Sequence, residues 1–128
     1  MSITKIVIVD DEVNLTKMLK LNLEENGNYE VRTVNQAKHA IDSIREFMPD
    51  LVLLDIMMPE LQGSEIAEII MGDFQLREIK IIFLTALITK TEAPEAGKKI
   101  AGRKFLAKPV KMAELLACIE EELEKENN

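Results

Sequence analysis

Runs of consecutive apolar residues recur along the chain and stop abruptly at polar ones. Ile6-Val7-Ile8-Val9 ends at Asp10-Asp11, Leu51-Val52-Leu53-Leu54 ends at Asp55, and Ile79 to Leu84 ends at Thr85. Short runs without alternation read as parallel strands buried on both faces. Glu30 to Val34 reads as a more polar strand, and Phe105-Leu106-Ala107 as a brief fifth one that stops at Lys108-Pro109. The intervening segments switch to helical spacing. From about Val13 to Asn26, Leu15, Met18, Leu19 and Leu23 form one stripe, and Gly27 supplies the stop. Asn35 is placed to cap a second helix carrying Ala37, Ala40, Ile41, Ile44 and Phe47, with Pro49 ending it. Pro59 and Gly63 punctuate a loop before a helix through Ile66, Ile69 and Ile70. The last helix carries Met112, Leu115, Leu116, Ile119 and Leu123. Between Leu87 and Gly102, Pro94 and Gly97 leave room only for a short or loose helix.

Strands that alternate with helices predict an α/β fold, a doubly wound parallel sheet with helices on both faces. Ligands of such sheets bind beyond the carboxyl ends of the strands, near the point where strand order reverses. All the conspicuous polar residues fall at those ends. Asp10 and Asp11 follow the first strand, Asp55 the third, Thr85 the fourth and Lys108 the fifth. If the first and third strands are neighbours, three carboxylates share one pocket. Their mutual repulsion calls for a cation, and a hard divalent ion such as Mg²⁺ is the natural one. A carboxylate, a metal, a lysine and a hydroxyl together suit phosphoryl transfer to a carboxylate oxygen. Asp55 stands alone at its strand end and is the better nucleophile, whereas the Asp10-Asp11 pair looks like the metal holder.

Composition narrows the setting. The 128 residues carry 16 Lys plus Arg against 23 Asp plus Glu, a net charge of −7. The length fits one domain, taken as 1–125 followed by a polar tail at 126–128. The acidic balance and scarce aromatics argue against direct nucleic-acid binding. No stretch approaches a membrane span, and the single cysteine, Cys118, permits no internal disulfide, so a cytoplasmic protein without a membrane partner is expected.

In this order and spacing the residues resemble the receiver domain of two-component response regulators. The resemblance rests on Asp10-Asp11, the segment Asp55-Ile56-Met57-Met58-Pro59-Glu60-Leu61-Gln62-Gly63, the pair Thr85-Ala86, and Lys108-Pro109, and it covers nearly the whole chain. It implies a (βα)5 flavodoxin-like receiver fold with strand order 2-1-3-4-5. It implies that Asp55 accepts a phosphoryl group from a histidine kinase or phosphotransfer protein. Asp11, Asp55 and the Met57 carbonyl would ligate Mg²⁺, with Asp10 acting mainly through water. Thr85 and Lys108 would bond the phosphoryl group. Phe105 matches an aromatic switch position that turns inward when Thr85 moves, altering a surface read by a downstream protein. The peptide before Pro109 matches one that is cis in the family. Such a domain is a signalling module whose only catalysis is its own phosphorylation and self-dephosphorylation.

Some features depart from the family pattern. Met57 and Leu87 occupy two positions that tune phosphoryl lifetime there, and both are apolar, so slow self-dephosphorylation is expected. From Ala96 to Ala113 the chain carries Lys98, Lys99, Arg103, Lys104, Lys108 and Lys111 and no acid, a basic edge followed in sequence by an acidic end from Glu114 onward. The alternative reading is a pseudo-receiver, an interaction module that keeps the fold without phosphorylation. A haloacid-dehalogenase-like hydrolase would want a second Asp where Met57 stands, and a flavodoxin-like cofactor protein a Ser/Thr/Gly phosphate loop where Asp10-Asp11 stand.

Overall fold

The computed structural model describes residues 3–59, 61–86, 99–100 and 103–124. The expected helix with Pro94 and Gly97, and the Leu87 position, lie outside them. In chain order the elements are β1 (Thr4–Val9), α1 (Val13–Glu25), β2 (Tyr29–Val34), a 3-10 turn (Ala37–His39), α2 (Ala40–Phe47), β3 (Leu51–Asp55), α3 (Gly63–Gly72), β4 (Lys80–Thr85), β5 (Lys99–Ile100), β6 (Arg103–Ala107) and α4 (Met112–Glu124). Five strands run parallel in the order β2-β1-β3-β4-β6, which is the expected 2-1-3-4-5. The two-residue β5, which the pattern did not reveal, pairs antiparallel with β6 at the edge.

Consecutive residues of a strand face opposite sides, and this sheet buries both. Val7, Val9, Val52, Leu54, Ile81 and Phe83 pack with Ala40, Ile44 and Phe47 of α2 and Ile66, Ala67 and Ile70 of α3. Ile6, Ile8, Leu51, Leu53, Ile82 and Leu84 pack with Leu19 and Leu23 of α1 and Leu115 and Ile119 of α4. Both faces of β1 and β3 are needed for this, which is why their sequences show no alternation. Helix ends follow local chemistry. Gly27 takes a left-handed φ of 90° just past α1, and Met48 adopts φ 49° to close α2 immediately before Pro49.

The start of the second helix differs from expectation. Asn35 caps nothing there. The chain makes a 3-10 turn first, and α2 proper begins at Ala40 without a side-chain cap. The Asn35 amide is used elsewhere, donating to the Asp10 carbonyl at 2.8 Å and to Thr16 Oγ1 at 2.9 Å. Among the described residues, no helix is long and apolar enough to cross a membrane.

Candidate phosphoacceptor and metal site

Register alone brings the acids together. Val9 pairs with Leu54 across β1 and β3, so Asp10 and Asp55 each stand one residue beyond that pair. Asp10, Asp11 and Asp55 each offer a carboxylate oxygen, and those oxygens all lie within 4.8 Å of one another. Asp10 is wholly buried, Asp55 nearly so, and Asp11 exposed. Lys108 enters from the end of β6. Its Nζ is 2.9 Å from Asp10 Oδ2, 3.7 Å from Asp55 Oδ1 and 2.7 Å from Glu12 Oε1.

Main-chain bonds fix these groups. Asp10 N–H donates to Val34 O at 3.0 Å, Ile56 N–H to Leu84 O at 3.1 Å, and Lys108 N–H to Thr85 O at 2.8 Å. The Lys108-Pro109 peptide is cis, as the resemblance implied. Glu12 N–H donates to Asp10 Oδ1 at 2.9 Å, and Met57 N–H reaches Asp55 Oδ1 at 3.3 Å. Gly63 N–H donates to Ile56 O at 2.9 Å and draws the start of α3 against the Asp55 peptide. Thr85 is buried at the end of β4. Phe105 is half-buried on β6 and packs against the core on the α2 and α3 side. Asp11, Glu12, Asp55, Met57, Ala86 and Lys108 line a cleft of about 300 Å³. Beside it, Leu15, Met18, Pro109 and Val110 line a larger apolar groove of about 550 Å³.

The electrostatics are those of an anion cluster with too few cations. Burial pushes the Asp55 carboxyl up to about 6, with the Asp10 charge adding to the rise and Lys108 opposing it. Burial also raises Asp10, against the pull of Lys108 and the Glu12 N–H. For Lys108, burial works to lower the pKa, but contacts with Asp10 and Glu12 and the Asp55 charge overturn that, so the ammonium is held charged. The Lys108–Asp10 approach is a charge contact rather than an aligned hydrogen bond. Among the described residues, Asp10 Oδ2 is therefore buried without a hydrogen-bond donor. A buried carboxylate oxygen with no donor, in a cluster of three carboxylates, is a donor set that fits a hard divalent ion.

Sequence reasoning named five of the charged or polar groups gathered here and missed two. Glu12 carried no obvious chemistry in the sequence, and Asn35 only that of a helix cap. The available signals were a glutamate where a short capping residue would serve better, and an asparagine one residue past a strand.

Comparison with known proteins agrees with this geometry. The family model of the response regulator receiver domain matches residues 6–120. The DNA-binding response regulator MtrA of Mycolicibacterium paratuberculosis is 30% identical over 124 residues, covering 97% of this chain and 53% of that protein. The alkaline phosphatase synthesis transcriptional regulatory protein PhoP of Bacillus subtilis is 30% identical over 118 residues, covering 90% of this chain and 46% of that protein. The chain thus spans about half the length of these curated relatives. Among solved structures, a CheY-like receiver domain protein from Methanospirillum hungatei superposes with TM-score 0.78 at 31% identity, covering 95% of this chain and 94% of that one. The amino-terminal domain of a response regulator receiver protein from Methanoculleus marisnigri gives TM-score 0.70 at 33% identity, covering 98% and 100%.

One expectation is corrected by these relatives. The acidic balance argued against direct nucleic-acid contact, yet MtrA is named a DNA-binding regulator. The charge of 128 residues reports only on those residues, and the relatives are about twice as long, so charge balance here carries no exclusion. The acid cluster, the strand order and the family match over nearly the whole length agree: the chain belongs to the receiver domains of response regulators.

Proposed function

We propose that Asp55 is the phosphoacceptor of this receiver, with Asp10, Asp11, Asp55 and the Met57 carbonyl holding Mg²⁺. The observation that carries this reading is the convergence of three carboxylates within 4.8 Å beside the Lys108 ammonium. In the step itself, an Asp55 carboxylate oxygen attacks the phosphorus of a phosphohistidine. The P–N bond breaks, the imidazole leaves with its electron pair and takes up a proton, and an acyl phosphate remains on Asp55. Bound Mg²⁺ would neutralise charge on the phosphoryl oxygens.

The chain's own groups do the rest. Lys108 pairs with a phosphoryl oxygen, Thr85 donates its hydroxyl to another, and Phe105 follows Thr85, changing the surface around β6. New charge at one site thereby biases a two-state element. The donor is a histidine kinase or a phosphotransfer protein in the cytoplasm, and the apolar groove beside the cleft gives such a protein a surface to rest on while it reaches Asp55. In a longer regulator of the MtrA kind, the same event would govern a DNA-binding part.

The test is direct. Incubation with Mg²⁺ and acetyl phosphate, followed by intact mass measurement, is expected to add one phosphoryl group to the wild-type protein and none to Asp55→Asn. Absence of any gain, with no Mg²⁺ binding, would return the chain to the pseudo-receiver reading. Multiple turnover of an external phosphate ester would make it a hydrolase.

A further inference from the structure

Glu12 occupies the position that starts α1, where Ser, Thr, Asp and Asn make effective caps. Its side chain makes no cap hydrogen bond. It crosses the mouth of the cleft instead, and Oε1 accepts a hydrogen bond from Lys108 Nζ at 2.7 Å, 96 positions away in sequence. The same ammonium stands 2.9 Å from Asp10 Oδ2 and 3.7 Å from Asp55 Oδ1. Of the three carboxylates around Lys108, the nearest is thus the one at the rim, and the farthest is the acceptor. The Glu12 side chain is 59% exposed, against 14% for Lys108. The Glu12 main chain serves Asp10 and the first turn of α1, whereas its side chain makes no cap bond. Its one described side-chain contact is with the lysine that the phosphoryl group needs.

We propose that Glu12 is a positioning residue that holds Lys108 at the rim of the pocket and so restrains phosphoryl capture at Asp55. The inference rests on Asp55 being the phosphoacceptor. Two effects act in the same direction. The hydrogen bond to Glu12 holds the ammonium at the rim, 3.7 Å from Asp55 Oδ1, and that bond resists its turning inward to a phosphoryl oxygen. The Glu12 charge also opposes the approach of an anionic donor. An ion pair with one exposed partner sets the scale, so release is worth about two- to fivefold in rate.

The experiment compares the wild type, Glu12→Gln and Glu25→Gln. The last removes an equal charge from the far end of α1, about 20 Å away for 13 residues of helix. Phosphorylation by acetyl phosphate with Mg²⁺ is followed by intact mass at about 50 mM and about 0.5 M salt. In parallel, the ¹H–¹⁵N resonance of the Lys108 ammonium is recorded without donor or metal. Glu12→Gln is expected to react about two- to fivefold faster at low salt, with the advantage shrinking at high salt, and to shift the ammonium resonance. Glu25→Gln is expected to match the wild type in both. An unmoved ammonium resonance in Glu12→Gln, or a rate equal to or below that of the wild type, overturns the proposal alone. A wild-type protein that gains no phosphoryl group overturns the acceptor assignment, and this proposal with it.

Discussion

A β-carbon added to Gly63 would stand 2.2 Å from the Asp55 carbonyl oxygen. No side chain fits there, because the obstacle is backbone on a buried strand end. Gly63→Ala must push α3 away from β3 and disturb the loop that carries Met57. It is expected to lower stability by about 1–3 kcal/mol, read by urea denaturation. Gly72 closes the same helix and meets nothing within 4 Å. Gly72→Ala should be neutral or stabilising by up to about 1 kcal/mol. Equal losses at both positions would show that close approach to Asp55 is not the cause.

Asp55 should destabilise the metal-free fold. Its pKa is raised to about 6 in the folded protein against 3.8 as a free side chain. A raised carboxyl favours the protonated folded state, so stability falls as pH rises from about 4 to about 6 and stays reduced above that. Asp55→Asn is therefore expected to melt higher than the wild type at pH 7 in the absence of divalent ions. The gain has an upper bound of about 3 kcal/mol and should fade below about pH 4. Equal melting temperatures at pH 7 would count against it.

Divalent cations should reverse that penalty. At tenfold above its dissociation constant, Mg²⁺ is expected to add about 1.4 kcal/mol, a rise of a few degrees in a domain of this size. Chelator should abolish the rise, and Asp11→Asn should weaken it. A melting curve indifferent to Mg²⁺ would argue against a metal at the three carboxylates.

Removing Lys108 strands a buried carboxylate. Lys108→Met leaves Asp10 Oδ2 with neither a charge partner nor a hydrogen bond, and should cost about 1–3 kcal/mol at pH 7. Adding Asp10→Asn should recover most of this. Failure of the double variant to recover stability would mean that packing of the lysine stem, rather than charge, holds the loop.

Met57 bears on how long an acyl phosphate would survive. Its side chain is half exposed at the cleft and cannot orient an attacking water by hydrogen bonding. Met57→Asn with Leu87→Glu should hasten phosphate release from the phosphorylated protein. A marked slowing would contradict the expectation.

The sequence carried the strands and their ends well, because β1, β3 and β4 are buried on both faces and the apolar run of each stops at a polar residue. The acids could be named for the same reason. Its failures share a physical origin in polar side chains with several equivalent uses. Asn35 has the chemistry of a helix cap, and only the folded position of the β1–α1 loop decides that it binds the Asp10 carbonyl instead. Glu12 reads as a solvated helix start until Lys108 arrives from 96 residues away. The two-residue β5 pairs only with its neighbour β6 and is too short to leave a pattern.

That separation along the chain has its own consequence. The pocket draws on the ends of β1, β3, β4 and β6, and the parallel pairings that align them join distant segments, as in Ile6 with Leu51. Contacts of such range carry the entropic cost of closing long loops, which slows folding. Until β6 has docked, the acids have no lysine and the lysine has no acids. A partly synthesised or locally unfolded chain therefore presents no assembled pocket, and occupancy of that pocket certifies a completed fold.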